Sequence, residues 1–293
     1  MPSLKAIRKR IASVKNTRKI TAAMKLVAGA RLRRAQEAII AARPYAQRMH
    51  EVVAELAARV GAQSGELAHP LLALRDEKRV AIIQLSSDRG LCGGFNSNLS
   101  RRTERFVFDN ADRFSEVTLH IVGKKGREYF KRRKVKLGHE WPAPVSSAGA
   151  EERAREIAHV ATTSFLAGDV DAVYLVYNEF KSAMSQRVAV EPLLPVVPTK
   201  LDEAHGINDF KYEPSRDELL SHIIPLDIEV QIFRALLESI ASEFGARMSA
   251  MDSATTNASD MIGRLTLDFN RARQAAITKE LMEIVGGAEA LKG

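Results

Sequence analysis

The sequence predicts an α+β/α/β fold in which a long antiparallel coiled coil of N- and C-terminal helices carries an inserted α/β domain. Three observations predict it. Apolar residues recur at steps of three and four near both ends of the chain, the seam of paired long helices. Between those ends the pattern changes to short apolar runs alternating with helical stretches, which implies a largely parallel sheet. The 293 residues hold only 6% aromatics and a single Trp (Trp141), few large anchors for one compact core.

The first arm occupies residues 1–62. Its seam reads Leu4, Ile7, Ile11 and Val14, then Ala28, Leu32, Ala35, Ile39, Ala42, Ala46, Met49, Val53, Leu56 and Val60. Arg18, Thr21 and Lys25 hold the seam positions between the two groups. A helix over residues 4–60 would be roughly 85 Å long, longer than an ordinary domain, so it must project or pair. Pro44 lies inside it and is expected to bend it. The arm is basic: eleven Lys and Arg residues precede the first acid, Glu37. It has no apolar core of the secretory kind.

The second arm occupies residues 217–293. Ile228, Ile232, Leu236, Leu237, Ile240 and Phe244 repeat at helical spacing. Met248, Met251, Met261, Ile262, Leu265, Phe269, Ala272, Ala276, Leu281 and Ile284 continue the pattern. Residues 249–259 are small or poor helix formers, which makes sense where two helices approach closely. If the arms are antiparallel and meet near Val60 and Asp217, facing residue numbers sum to about 277. That register sets the small patch against Ala22, Ala23, Ala28, Gly29 and Ala30, an agreement not built into the assumption. It also puts Leu4 opposite Arg273 and leaves roughly 20 residues overhanging, about 30 Å of helix. The overhang carries Ile277, Leu281, Ile284 and Val285, an apolar stripe that implies another protein around it, the alternative being a frayed, disordered tail.

The inserted domain occupies residues 76–200. Strands are expected at 79–85 (RVAIIQL), 117–122, 172–177 and 187–190, with helices at 97–109, 126–134 and 151–166. The run Trp141-Pro142-Ala143-Pro144 reads as a loop, and residues 201–216 as an irregular connection back to the second arm. Residues 86–97 form a Gly-rich passage from strand to helix. A phosphate cradle would need GxGxxG, or Lys-Ser/Thr after the glycines, and neither is present. The passage therefore reads as a tight turn needing positive φ.

A net charge of +8 is compatible with a nucleic acid, a lipid surface or an acidic protein as partner. The cluster Lys124, Lys125, Arg127, Lys131, Arg132, Arg133 and Lys134 reads as a solvated basic face, the alternative being a site for nucleic acid or lipid head groups. One cysteine, Cys92, excludes an intramolecular disulfide and a Cys-rich zinc site, and fits a reducing compartment. It has no neighbouring base and reads as buried and inert. The seven His residues are scattered without metal-ligand spacing, and no HExxH or GxSxG motif occurs. No apolar run reaches the roughly 18 residues of a membrane span.

Three stretches carry a family resemblance: residues 7–21 (IRKRIASVKNTRKIT) followed by Ala23-Met24, residues 87–94 (SDRGLCGG) followed by Asn96, and residues 272–281 (ARQAAITKEL) followed by 283–288 (EIVGGA). Residues 174–178 with Met184-Ser185-Gln186, and Ala246-Arg247-Met248 with Ala250-Met251, add weaker matches. In this order, over nearly the whole chain, the sequence resembles the gamma subunit of the F-type rotary ATP synthase of bacteria.

The resemblance implies a Rossmann-like inserted domain and a rotor shaft with no active site of its own. It implies one copy per complex, standing inside the ring of alpha and beta subunits. Those partners hold ATP or ADP and Mg, and this chain would bind no cofactor. The foot would meet the epsilon subunit and the c-ring, peripheral to the cytoplasmic face of the inner membrane, with no nucleic acid and no direct membrane insertion. Met24, Arg247, Arg273, Gln274 and Thr278 match the family's contacts with the catalytic ring. Phe210, Tyr212 and Glu213 match its foot segment near the c-ring. Lys25 departs from the family, standing where many relatives carry an acid, and the plant-type regulatory insertion is absent. The alternative reading is a basic coiled-coil nucleic-acid-binding protein. A dinucleotide-dependent enzyme would rest on the α/β middle alone and lacks the glycine fingerprint.

Overall fold

The computed structural model describes residues 3–64, 69–133, 135–196 and 216–290, apart from the side chains of residues 54, 57–64, 216–217 and 288–290. It shows a mixed α/β sheet and a long C-terminal helix. Helix α1 spans Leu4–Ser64 and runs through Pro44. The last helix, α5, spans Arg216–Ala290 and runs through Pro225. Between them lie β1 (Arg79–Leu85), α2 (Phe95–Asp109), β2 (Glu116–Val122), α3 (Lys124–Phe130), β3 (Lys136–Trp141), α4 (Ser147–Leu166), β4 (Ala172–Phe180) and β5 (Gln186–Leu194).

The chain divides into two compact units. The first joins Met1–Ala28 to Met248–Gly293. In it Lys25 Nζ lies 2.6 Å from Asp252 Oδ1, Thr255 donates to Thr21 Oγ1 at 2.8 Å, and Arg8 stacks over Phe269. Partners fall along α5 as numbers rise along α1, so the two segments run antiparallel here. Each pair lies within one residue of the register expected from the sequence. Thr21, Ala28, Met251 and Ala258 are buried in this unit, and the small side chains let the two backbones approach. Met261, expected on the seam, is 44% exposed. From Met251 on, the buried or half-buried described positions are Met251, Ala254, Thr255, Ala258, Ile262, Leu265, Phe269, Ala272 and Ala276. From Thr255 onward the steps alternate three and four, which excludes Met261.

The second unit is Gly29–Arg247. Its sheet has the order β3-β2-β1-β4-β5. The first four are parallel neighbours and β5 is antiparallel to β4. The central strand β1 is buried on both faces, as its apolar run predicts. On one face Val80 and Ile82 pack with Leu99 of α2 and Phe130 of α3. On the other, Ala81 and Ile83 meet Ile157 and Ala161 of α4. In α5, residues 235–242 are buried without interruption, so this stretch is a core helix of the unit.

Two expectations need correction here. Residues 136–141, not assigned a strand from the sequence, form the edge strand β3, whose side chains are mostly exposed and therefore lack an apolar signature. The third helix begins at Lys124 and ends at Phe130, earlier than its basic run suggested. The connection over 201–216, with Phe210, Tyr212 and Glu213, lies outside the described residues except for Arg216, which opens α5.

Candidate functional site

In a doubly wound sheet, ligands bind outside the carboxyl ends of the strands where the strand order reverses. Here that point lies after β1, between β2 and β4. The chain's own helix α5 occupies it. Ser239 Oγ donates to the Leu85 carbonyl at the end of β1 (3.2 Å), and Ser242 Oγ to the Asn178 carbonyl of β4 (2.9 Å). Arg247 Nη2 donates to the Gly90 carbonyl of the turn after β1 (3.2 Å).

That turn is filled by its own side chains. Asn96 Oδ1 accepts from the Ser87 amide at 3.0 Å, and its Nδ2 donates to Ser87 Oγ at 2.8 Å. Gly93 supplies the expected positive φ, but Leu91 also adopts φ 63°, which no glycine rule foresaw. Cys92 is 2% exposed, and burial pushes its thiol up, as expected of an inert cysteine. A second close approach follows at Gly123 (φ 94°), where a Cβ would stand 2.4 Å from the Ser86 carbonyl oxygen. Together these contacts fill the ends of β1, β2 and β4 with the chain's own groups.

The residues matched to ring contacts fall into two environments. Arg273, Gln274 and Thr278 are exposed on α5 in the first unit, and Met24 there is half-buried. Arg247 belongs to the second unit and is turned onto its own chain: Nη1 lies 2.7 Å from Glu243 Oε1, and both side chains are largely buried. Burial pushes the Glu243 carboxyl up, opposed by the Arg247 charge. Lys25 forms its bridge to Asp252, an interaction that spacing alone did not show.

In the first unit Ala6, Ile7 and Arg10 of α1 line one groove with Ala272 and Ala275 of α5. Beyond it Ile277, Leu281, Met282, Ile284 and Val285 are all more than half exposed.

Sequence reasoning missed a polar stripe on α5. Asp227, Gln231, Arg234, Glu238 and Ser242 recur at steps of four, three, four and four, so they share one face. Asp227 receives His50 Nδ1 at 3.1 Å and Gln231 Nε2 at 3.2 Å. The hydrogen bond to Asp227 raises the His50 pKa, against its partial burial. Arg234 pairs with Glu191 at 2.7 Å, and Glu191 also accepts from the Tyr177 hydroxyl. Arg43, His50, Arg234 and Glu238 border a cavity of about 740 Å³ between α1, α5 and the sheet. Its ionic groups include the pairs Arg43–Glu238, His50–Asp227 and Arg234–Glu191. The signal was present as charged residues at helical spacing inside an otherwise apolar run, but their partners on β4, β5 and α1 are remote in sequence. Likewise His120 and His139, scattered in the sequence, stack at 5.6 Å. Burial pushes His120 down to about 4. Among the described residues no group of three or more His, Cys, Asp or Glu is placed to hold a metal ion.

The family described as ATP synthase matches residues 3–291. An ATP synthase gamma chain from Anaeromyxobacter sp. (strain K) is 55% identical over the whole of both chains. One from Geobacter sp. (strain M21) is 50% identical, again over both whole chains. A chain of the Tetrahymena thermophila mitochondrial ATP synthase central stalk and c-ring structure is 26% identical with TM-score 0.59, covering 80% of this chain and 99% of that one. A chain of the Euglena gracilis mitochondrial ATP synthase shares the fold at 19% identity, with TM-score 0.65, covering 98% and 94%. None of these supports the nucleic-acid alternative.

Proposed function

Because the chain belongs to the ATP synthase gamma-chain family, the central stalk of the F-type enzyme, we propose that it is the turning shaft through which proton flow drives ATP synthesis. ATP hydrolysis would drive the same shaft in reverse. In this reading residues 1–62 and 217–293 form one antiparallel coiled coil. Residues 76–200 are a Rossmann-like foot, and 201–216 connect the foot to the second arm. The chain has no active site of its own; ATP, ADP and Mg belong to the alpha and beta subunits around it. One copy serves each complex. The foot meets the epsilon subunit, and it meets the c-ring through Phe210, Tyr212 and Glu213. The complex sits at the cytoplasmic face of the inner membrane, and this chain attaches peripherally. No described helix is long and apolar enough to cross a membrane.

The observation that carries the reading is the exposed apolar stripe of α5 after Ala275. Five large apolar side chains exposed among the described residues of one helix end are costly in water and are stabilised by a surrounding protein wall. Arg273, Gln274 and Thr278 stand beside that stripe on the same helix and are the proposed contacts with the catalytic ring, with Met24 on α1. Arg247 is the fifth proposed contact, acting from its buried pair with Glu243. The basic excess of α1 suits acidic loops of a ring whose contacts must be exchanged at each step, since exposed pairs are worth only about 0–1 kcal/mol.

Co-expression with alpha and beta subunits tests the proposal. The expected result is a stable complex that hydrolyses ATP, with this chain in single copy. Recovery of the alpha and beta subunits without it would overturn the shaft reading.

A further inference from the structure

Strand β4 outruns its neighbour. Its last registered partner on β1 is Val176, opposite Gln84, yet the strand continues to Phe180. On the opposite side it remains paired to β5 as far as Phe180. Backbone groups of Asn178 and Phe180 that face the vacated β1 side therefore need other partners. Alternate residues of a strand point their backbone groups to the same side, so Asn178 and Phe180 share this need.

Side chains of the two long helices meet it. The Asn178 carbonyl accepts from Ser242 Oγ of α5. The Phe180 amide donates to Glu238 Oε2 of α5 at 3.3 Å, and its carbonyl accepts from Arg43 Nη2 of α1 at 3.3 Å. Arg43 Nη2 also lies 3.5 Å from Glu238 Oε1. Glu238 is 2% exposed. One strand end, one residue of α1 and one of α5 are thus closed into a three-way junction. Side chains from both helices continue the hydrogen-bond ladder of the sheet. Apolar packing alone would hold α5 against the sheet without fixing its rotation, because such contacts are non-directional. Hydrogen bonds to a strand end are directional.

We propose that Glu238 and Arg43, joined on the backbone of Phe180, are positioning residues that make the sheet and both long helices turn as one body under load. The proposal rests on the shaft reading and names where torque passes between the foot and the helices. Burial raises the Glu238 carboxyl, and the Arg43 and Arg234 charges and the Phe180 amide oppose that rise, as expected of a carboxylate held by these partners.

The test uses the complete complex in membrane vesicles, with ATP hydrolysis and ATP-driven lumenal acidification measured on the same preparation. Glu238→Ala and Arg43→Ala should each lower protons pumped per ATP hydrolysed at least twofold, while hydrolysis per assembled complex is retained. Glu238→Gln keeps an acceptor for the Phe180 amide and should recover part of the loss. A merely structural role would reduce assembly and hydrolysis together and leave their ratio to pumping unchanged. That outcome, or an unchanged ratio in both alanine variants, overturns the proposal. Should Glu238→Ala fail to assemble, Arg43→Ala and Ser242→Ala carry the same test from more tolerant positions. Failure of the unmodified chain to form a hydrolysing complex would instead refute the shaft reading, so the two failures are distinguishable.

Discussion

Arg247 and Gln274 both match ring-contact positions of the family, yet their surroundings differ. Arg247→Ala would leave Glu243 buried without its cation, which costs about 3 kcal/mol, less whatever Glu243 regains by taking up a proton. We expect a clear drop in the thermal midpoint of the isolated chain. Gln274→Ala lies at an exposed position and should change stability by no more than about 0.5 kcal/mol. In assembled complexes it should still lower coupled ATP synthesis. Normal synthesis with Gln274→Ala would remove that residue from the ring contacts. Gly123→Ala is a third case. It combines φ 94° with a 2.4 Å approach to backbone oxygen and should cost about 2–3 kcal/mol, read by denaturant unfolding. The motif match located Arg247 but not its burial, because Gly90 is 157 residues away in sequence and Glu243 becomes its partner only once α5 is helical.

Elements with a strong period were legible and those without one were not. The seam of α1 and the facing register could be read because Ile7, Ala28, Leu32 and Ala35 must share a helical face to be buried. The strand β3 escaped notice because its lysine, glycine, histidine and glutamate face solvent at a sheet edge. The small-residue patch yields a direct test. Ala28 and Ala258 are 1% and 7% exposed, so Ala28→Leu or Ala258→Leu overpacks the helix pair. Each should cost about 1–3 kcal/mol, measured as loss of helical circular dichroism on heating. By contrast, removal of the residues from Ile284 onward takes away only exposed side chains among those described. The truncated chain should melt like the full one while binding the alpha and beta subunits less tightly.

At the scale of the whole molecule, pH acts on the α1–α5 contact of the second unit. His50 is half-exposed and its pKa is raised by Asp227, so its contribution is fully present below about pH 6.5 and is lost as pH rises through its higher folded value. Burial raises Glu238 and Glu243 as well, and their stability likewise declines as pH rises and they ionise. Asp171 behaves oppositely: Arg79 holds its carboxyl down, so its contribution is lost as pH falls through its depressed folded value. Between pH 6 and 8.5 His50 therefore contributes a stability slope that falls with rising pH, opposed by His120, which burial pushes down to about 4 and which favours the fold as pH rises. His50→Gln should flatten that slope by under about 1 kcal/mol, given the screening at a half-exposed site. A slope identical in both proteins would exclude His50 as its source. The occupation of the strand-order reversal by α5 could not be read from the sequence. An α/β pattern with a Gly-rich turn leaves that crevice open to a ligand until a helix from much later in the chain is known to fill it.

The pairing of Lys25 with Asp252 spans 227 residues, which has a consequence for synthesis. At roughly 5–20 residues per second, the ribosome needs about 10–45 s between making the first partner and the second. For that interval the nascent first arm holds Ile7, Ile11 and Val14 with no matching helix in existence. The first arm is thus the last part of its own chain to find shelter, and a transcript cut short before Met248 would leave it permanently sticky. Cells making this protein have reason to guard its beginning until its end arrives.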